Sequence, residues 1–178
     1  MSATLGAAVV SDFDGTIAKL AIPWEALRRT LAVERIQDLW KDPDAGRWDV
    51  VARAEVEAAQ TATPVPTVMQ ALDAVPAIAV LTNNDETAVA AFLDRWPELR
   101  ARVRAVIGRR ALGGPKTDFA VFSKGYARCV QAVAGSTGDA EVTYIGDMRY
   151  ELDYARRLGA KTFDVTELGA ATPGPGRS

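Results

Sequence analysis

The sequence contains no histidine and a single cysteine, Cys129, among its 178 residues. The absence of histidine removes the commonest general base and excludes nucleophilic sites of the Ser-His and Cys-His types. One cysteine can form neither an internal disulfide nor a cysteine-rich zinc site, so we interpret Cys129 as a small buried residue on a helix. Any hydrolytic chemistry in this chain therefore has to use carboxylates, lysine, hydroxyl groups or a metal ion.

The sequence also lacks a strong net charge and long apolar segments. Its formal net charge is -2, with 48% hydrophobic and 25% charged residues, which is typical of a globular protein and gives no electrostatic reason to expect nucleic acid. Residues 1–8 have no basic opening, and no apolar segment is long enough to span a membrane. We expect a cytoplasmic protein that binds a small molecule and neither nucleic acid nor a membrane. No sequence pattern indicates the oligomeric state.

Short apolar runs alternate with helical patterns along the chain. The first run lies at 7–10, and further runs lie at 78–81, 103–107, 142–145 and 161–165, with helical periodicity between them. This alternation is typical of a parallel sheet that has helices on both faces. It predicts an α/β fold with a doubly wound parallel sheet.

Two helical patterns, at 24–40 and 47–60, follow the first strand before the second one begins. They predict a small helical insertion, which a segment rich in proline and threonine connects to the next helix. The C-terminal segment is rich in glycine and proline and cannot bury much apolar surface. We therefore divide the chain into a core formed by 1–18 and 64–168, a small α-helical cap at 19–63, and a disordered tail at 169–178.

Polar side chains stand just beyond several of the apolar runs. Asp12 and Asp14 follow the first run, and Thr82 follows the second. Lys116 comes after a Gly-Gly-Pro turn, and Asp147 follows the fourth run. Ligands of open α/β sheets bind beyond the carboxyl ends of the strands. We therefore expect these side chains to meet at one edge of the sheet.

The segment 12–16, Asp-Phe-Asp-Gly-Thr, resembles the nucleophile motif Asp-x-Asp-Gly-Thr of the haloacid dehalogenase-like hydrolase superfamily, most of whose members are phosphatases. The later polar residues follow the order that this superfamily uses, and the resemblance covers about 7–165 except for the insertion. It implies a Rossmann-like core and a magnesium-dependent phosphatase that hydrolyses a small phosphorylated metabolite through an aspartyl-phosphate intermediate. The insertion lies where phosphoglycolate phosphatase-like members carry a small cap.

The resemblance also implies a role for each polar residue. Asp12 is expected to be the nucleophile, and Asp14 the general acid and base. Thr82, Asn83 and Lys116 are expected to bind the phosphoryl oxygens, and Thr82 and Lys116 also count among the catalytic residues. The expected magnesium ligands are Asp12, the backbone carbonyl of Asp14, and Asp147, with Glu151 in the outer coordination shell.

The segment after the fourth apolar run departs from the superfamily pattern. Members usually place a second aspartate where this chain has Glu151. Glutamate keeps the negative charge and the oxygen donors that a hard cation prefers. Asp153 is the alternative, but helical spacing places it on a different face of the helix from Asp147. Lys116 is followed by Thr117 in place of the proline that is common there.

Other functions remain open at this stage. A phosphomutase would use the same residues and return the phosphoryl group to a sugar. A non-enzymatic phospho-receiver module also combines aspartate, threonine, lysine and magnesium, but its phosphoacceptor lies on a later strand than its acidic pair. Dehalogenation is disfavoured, because a halide needs no proton and dehalogenases lack the second acid that Asp14 supplies.

The insertion has aromatic and basic residues whose roles the sequence leaves open. Trp24, Trp40 and Trp48 are more typical of the insertion's own core than of a ligand cage. Charges on helices are mostly solvated, but some of them can meet an anionic substrate. The candidates are Arg28, Arg29, Lys41, Arg47 and Arg53.

Overall fold

The computed structural model describes residues 5–42, 44–137 and 141–170. Five strands form one parallel sheet, and two short strands form an antiparallel ladder beside it. The strands are β1 Ala8–Ser11, β2 Ala18–Lys19, β3 Thr63–Pro64, β4 Ala77–Leu81, β5 Val103–Ile107, β6 Val142–Gly146 and β7 Lys161–Asp164. The parallel sheet has the order β5-β4-β1-β6-β7. The central position of β1 places the residues after it in the middle of the carboxyl edge.

The helices connect these strands and cover the sheet. They are α1 Trp24–Leu31, α2 Ala45–Thr61, α3 Pro66–Leu72, α4 Glu86–Leu93, α5 Pro97–Arg102, α6 Arg109–Leu112, α7 Phe119–Thr137, α8 Arg149–Arg157 and α9 Val165–Ala170, and a 3₁₀ helix spans Ile36–Lys41. Proline occupies the first turn of α3 and of α5, where its missing N–H leaves no hydrogen bond unmade.

Alternating side chains of β1 point to two hydrophobic clusters. Val9 belongs to a cluster that includes buried residues of α3, α4 and α9, whereas Val10 belongs to a cluster with residues of α7 and α8. All residues of β1 are buried, because helices cover both faces of the sheet. The predicted doubly wound parallel α/β sheet is confirmed.

The insertion differs from the predicted pair of helices. The prediction of one helix over 24–40 is wrong, because α1 ends at Leu31 and the next residue, Ala32, has a left-handed backbone with φ of 49°. The chain then turns into the 3₁₀ helix. This turn lets Leu31 and Leu39 pack together against Val51 of α2.

Helix α2 extends from the insertion into the core. Its residues Val56 and Ala59 pack in the same cluster as Val9 of the central strand. The ladder of β2 and β3 pairs Ala18 with Pro64 and so ties the start of the insertion to its end. The expected boundaries of the cap at 19 and 63 therefore do not coincide with a break in the packing.

The C-terminal segment also begins differently from the expectation. Gly169 and Ala170 form the end of α9, so the expected disordered tail does not begin at Gly169. The remainder of that tail, 171–178, lies outside the described residues.

Helix α7 contains Cys129, which is fully buried against the sheet, as predicted. Within the described ranges, no helix is both long enough and apolar enough to cross a membrane.

The packing of Phe92 gives a first prediction. Phe92 is fully buried on α4, and its ring meets Phe13 edge to face with centroids 5.5 Å apart. We expect Phe92→Ala to lower the free energy of unfolding by about 3–5 kcal/mol, because it leaves a cavity beside the loop after β1. Urea unfolding measures this change. The control Glu57→Ala, at an exposed position of α2, should stay within about 0.5 kcal/mol of the parent. A loss below about 1 kcal/mol for Phe92→Ala would contradict this description of the core.

Candidate active site

The loop after β1 presents two carboxylates on either side of a buried aromatic ring. The N–H of Asp12 donates to the carbonyl of Ile145 at 2.9 Å, which extends the pairing of β1 with β6 by one residue. The side chain of Phe13 enters the core, and its carbonyl accepts from the N–H groups of Ile17 and Ala18. The apolar residue thus anchors a tight loop that turns Asp12 and Asp14 toward the carboxyl edge of the sheet.

Lys116 lies between two buried carboxylates. Its Nζ is 2.5 Å from Asp12 Oδ1 and 2.8 Å from Glu151 Oε1, and it donates to the carbonyl of Leu81 at 3.0 Å. Burial alone would lower the pKa of Lys116, but the charges of Asp12 and Glu151 outweigh this effect and raise that pKa to about 12. Lys116 is therefore a fixed positive charge at the end of the central strand.

Burial has the opposite effect on the pKa of Asp12. Burial, reinforced by the charge of Glu151, raises the pKa of Asp12 to about 7, and the ammonium of Lys116 limits the rise. Asp12 Oδ2 has only a long contact with the hydroxyl of Thr16, at 3.5 Å. One oxygen of Asp12 is thus held by lysine, and the other has no strong partner among the described residues.

Glu151 is bonded to the protein through both carboxylate oxygens. Besides Lys116, its Oε2 accepts from the Tyr144 hydroxyl at 2.7 Å and its Oε1 accepts from the Tyr150 hydroxyl at 2.9 Å. Burial, with the nearby charge of Glu151, raises the pKa of Tyr144 well above its usual range, so this hydroxyl stays a donor. Glu151 thus helps to orient Lys116, and its expected place in the outer coordination shell of a magnesium ion stays a prediction.

The loop after β4 supplies hydroxyl and amide groups. Thr82 is buried, and its Oγ1 donates to Asn84 Oδ1 at 2.9 Å and accepts from the N–H of Asn84 at 3.1 Å. The side chain of Asn83 accepts from the N–H of Lys116 at 2.9 Å, which joins this loop to the lysine. Asp85 then caps α4 by accepting from the N–H of Thr87. The cap ends the loop close to β4 and keeps its polar groups at the sheet edge.

Three backbone N–H groups in these two loops have no acceptor among the described residues. They belong to Phe13, Asp14 and Asn83. Asp14 and Asn83 also line the cavity that contains Lys116. Unpaired N–H groups beside a fixed ammonium form a site suited to a phosphate group.

Asp14 and Asp147 add further negative charge. Asp14 is half-buried, and its Oδ1 accepts from the N–H of Leu20 at 3.0 Å. Burial raises the pKa of Asp14, and the charge of Asp147 adds to the rise. Asp147 follows β6 and lies so close to Gly15 that a Cβ there would be 2.3 Å from its Oδ2. Gly15, with φ of 84°, thus permits both the turn and the approach of this carboxylate.

The oxygen donors at this edge fit a hydrated magnesium ion better than they fit a metal ion that needs three or more protein side chains as ligands. Within the described ranges, no group of three or more His, Cys, Asp or Glu side chains is placed to hold a metal ion. Asp12 and Asp147 offer carboxylate oxygens, and the carbonyl of Asp14 accepts no hydrogen bond from described residues. Magnesium keeps several water ligands and commonly uses one or two carboxylates, so this set fits a hydrated Mg²⁺ ion. Asp153 pairs with Arg156 at the surface and does not line the cavity.

One cavity of about 510 Å³ brings the predicted residues together. Its lining from the core includes the predicted residues Asp12, Asp14, Thr82, Asn83, Lys116, Asp147 and Glu151. The insertion contributes the three tryptophans, which were interpreted from the sequence as its own core. Trp24, Trp40 and Trp48 pack within the insertion and also line this cavity.

Sequence reasoning missed a buried ion pair, Glu55 with Arg109. The two nitrogens Nη1 and Nη2 of Arg109 each lie 2.9 Å from an oxygen of Glu55. Glu55 also accepts from Asn84 Nδ2 at 3.1 Å and from the N–H of Asp85 at 2.9 Å, and Arg109 lies over the ring of Trp48. Helix α2 is thereby joined to the loop after β4.

The sequence contained one signal for this pair. Glu55 falls on the apolar stripe of α2, four residues after Val51 and four before Ala59. A lone carboxylate on a buried stripe predicts a buried cationic partner. No pattern identified Arg109 as that partner.

Comparisons with known proteins identify the fold. No protein-family model matches this chain, and no curated protein matches its sequence. A protein provisionally assigned as a phosphoglycolate phosphatase, from Lactobacillus plantarum, matches with a TM-score of 0.61 at 14% identity over 93% of this chain and 89% of that one. L-2-haloacid dehalogenase from Xanthobacter autotrophicus matches with a TM-score of 0.58 at 20% identity, over 87% of this chain and 75% of that one.

A haloacid dehalogenase-superfamily hydrolase from Ehrlichia chaffeensis matches with a TM-score of 0.54 at 13% identity, over 96% of this chain and 99% of that one. The fold that the resemblance implied is therefore confirmed. This chain has the fold of the haloacid dehalogenase-like hydrolases.

The Glu55–Arg109 pair gives a second prediction. We expect Glu55→Ala to lower the free energy of unfolding by about 3–5 kcal/mol, because it removes the two-point contact of Glu55 with the buried guanidinium of Arg109 and leaves only the longer contact with Asp85, at 3.7 Å. The control Glu25→Ala breaks an exposed pair with Arg29, 3.7 Å apart, and should cost less than about 1 kcal/mol. Chemical denaturation of both variants measures the difference. Equal losses would show that the buried pair has no special structural role.

Proposed function

We propose that this chain is a magnesium-dependent phosphatase of the haloacid dehalogenase-like superfamily, which hydrolyses a small phosphorylated metabolite through an aspartyl-phosphate intermediate on Asp12. The observation that carries the proposal is the contact of Lys116 with Asp12. It holds one oxygen of a buried carboxylate and leaves the other, Oδ2, with only the long contact to Thr16. A carboxylate held in this way is a positioned nucleophile.

The residues around Asp12 supply what a phosphate ester requires. The attacking carboxylate and the phosphate are both negative, so the site has to supply positive charge and alignment. Lys116 supplies a fixed ammonium, and the unpaired N–H groups of Phe13, Asp14 and Asn83 supply donors for the phosphoryl oxygens. The hydroxyl of Thr82 would be available to donate to a phosphoryl oxygen if it gave up its bond to Asn84 Oδ1. A magnesium ion held by Asp12, Asp147 and the Asp14 carbonyl would supply the remaining positive charge.

The reaction then follows two steps that conserve atoms and protons. Asp12 Oδ2 attacks phosphorus, the bond from phosphorus to the ester oxygen breaks, and the leaving oxygen takes a proton from Asp14. The leaving group departs as an alcohol, and Asp12 carries the phosphoryl group. A water molecule then gives a proton to Asp14 and attacks phosphorus. This step releases inorganic phosphate and restores the carboxylate of Asp12.

Asp14 supports phosphate hydrolysis over dehalogenation. Several of the matching structures are dehalogenases, so the fold alone does not separate the two reactions. A halide leaves without a proton, whereas the alkoxide of a phosphate ester needs one. Asp14 lines the cavity two residues beyond the proposed nucleophile and supplies a carboxyl group for that transfer.

Substitution of the nucleophile tests the proposal. We expect Asp12→Asn to reduce phosphate release from p-nitrophenyl phosphate by more than about 1,000-fold, because removal of a catalytic nucleophile has effects of this size. The fold should remain, since Asn keeps the size of Asp and still accepts from Lys116. The control Asp153→Asn changes an exposed carboxylate on α8 and should retain activity. Activity of Asp12→Asn within a few-fold of the parent would reject Asp12 as the nucleophile.

Removal of the metal provides an independent test. We expect EDTA to stop turnover and added Mg²⁺ to restore it. We also expect Mg²⁺ to raise the Tm, because a ligand at about 100 times its Kd stabilises the folded state by about 2.7 kcal/mol. The Tm shift should disappear in Asp147→Asn and persist in Asp153→Asn. Full activity in EDTA, or an equal Tm shift in both variants, would contradict the proposed metal site.

A further inference from the structure

Residues of the segment 24–48 form one wall of the cavity. We call this wall the insertion wall, and it consists of the residues of the segment that line the cavity. Its polar and aromatic members are the indoles of Trp24, Trp40 and Trp48, the guanidinium groups of Arg28 and Arg35, and the amide of Gln37. The reacting phosphate belongs at the other end, beside Asp12 and Lys116. The insertion wall therefore faces the leaving group.

Charge is distributed unevenly around this cavity. The insertion wall contains two guanidinium groups and no carboxylate. The acidic residues that line the cavity come from the loops after β1 and β6 and from α8, apart from Glu55 of α2, which Arg109 neutralises. A cavity wall with positive charge alone favours a ligand with a negative group at that end.

The structure selects one residue from the basic candidates of the insertion. Of Arg28, Arg29, Lys41, Arg47 and Arg53, Arg28 lines the cavity and the other four do not. Arg29 pairs with Glu25, and Arg47 binds Asp42 and the carbonyl of Leu31.

The guanidinium of Arg28 has no ion pair or hydrogen bond within the described ranges, although it lines the cavity. Arg35, the other guanidinium of the insertion wall, donates to Asp38 at 3.2 Å, and this pairing offsets its charge. Arg28 is therefore the cation of the insertion wall that remains available to a ligand.

We infer that Arg28 binds a second anionic group of the substrate, on the part that leaves as the alcohol. The substrate class is then a phosphate monoester whose leaving group carries a carboxylate or a further phosphate. The indoles of the insertion wall supply apolar surface for the carbon skeleton between the two anions. This inference rests on the proposed phosphatase function of the same site.

A comparison of Arg28 with its neighbour tests the inference. Arg28→Gln and Arg29→Gln remove the same charge from adjacent positions of α1, but Arg28 lines the cavity and Arg29 does not. The parent and each variant are assayed with ω-carboxyalkyl phosphates of increasing chain length. Each of these compounds is paired with the methyl ester of its carboxylate, which keeps the phosphate but removes the second negative charge. A second series pairs alkanediol bisphosphates with the corresponding monophosphates. The measured quantity is kcat/KM for the charged member divided by kcat/KM for its partner.

We expect the parent to favour the charged member of at least one pair by about tenfold, the size of one charge-assisted hydrogen bond. Arg28→Gln should reduce this ratio to near one, and Arg29→Gln should preserve it. The series that shows the preference identifies the anion as carboxylate or phosphate. A parent without preference in either series, or a preference that Arg28→Gln retains, would overturn the inference.

A binding measurement separates this inference from the proposed function. Titration calorimetry with ω-carboxyalkyl phosphonates and their methyl esters, which contain no hydrolysable ester of phosphorus, reports affinity without turnover. A loss of about tenfold in affinity for the charged phosphonate in Arg28→Gln, but not in Arg29→Gln, supports the anion site even if no phosphate ester is hydrolysed. Equal affinities of Arg28→Gln and Arg29→Gln for the charged phosphonate overturn the assignment of the anion site to Arg28, even if hydrolysis is efficient. Absence of hydrolysis in every pair counts against the phosphatase function alone.

Discussion

The contact of one ammonium with two buried carboxylates organises this site. Lys116, Asp12 and Glu151 are each at most 6% exposed, and buried charges are costly unless they are paired and hydrogen-bonded. Glu151 meets this condition fully, since two tyrosine hydroxyls complete its hydrogen bonding. Asp12 meets it through one oxygen only. The uneven distribution of partners leaves Asp12 Oδ2 free to act as the proposed nucleophile, whereas Glu151 supports Lys116.

A second buried pair determines how the insertion relates to the core. Glu55 lies on α2, yet its partners belong to the loop after β4 and to α6. The same helix packs Val56 and Ala59 into the core. A rigid lid that swings open would have to break this pair and expose these side chains. Helix α2 is therefore fixed to the core, whereas α1 and the 3₁₀ helix pack in two separate clusters within the insertion.

The sequence predicted the sheet well because its signals are local. Apolar runs that end in Asp, Thr or Gly-Asp show both the strand and its carboxyl edge, and residues at that edge meet in any parallel sheet. The role of Glu151 was beyond such reasoning. Its spacing from Asp147 is compatible with a metal ion, a lysine partner or both, and its hydrogen bonds with the hydroxyls of Tyr144 and Tyr150 depend on side-chain orientations that the sequence does not show. The turn at Ala32 was equally hidden, because the apolar positions of 24–40 fit one continuous helix and the contact with Val51 that favours the break is not local.

The balance of charge at this edge supports the proposed magnesium ion. Asp12, Asp14, Asp147 and Glu151 line the cavity together with Lys116, which is the only one of these five groups that is positive. The remaining core cation, Arg109, is already paired with Glu55. A phosphate ester would bring still more negative charge to Asp12. The proposed binding of a phosphate ester would therefore be favoured by positive charge in addition to that of Lys116. The carboxylates that repel such a ligand are also oxygen donors of the kind that a hard cation prefers, so the proposed Mg²⁺ ion would use their oxygens and offset their charge.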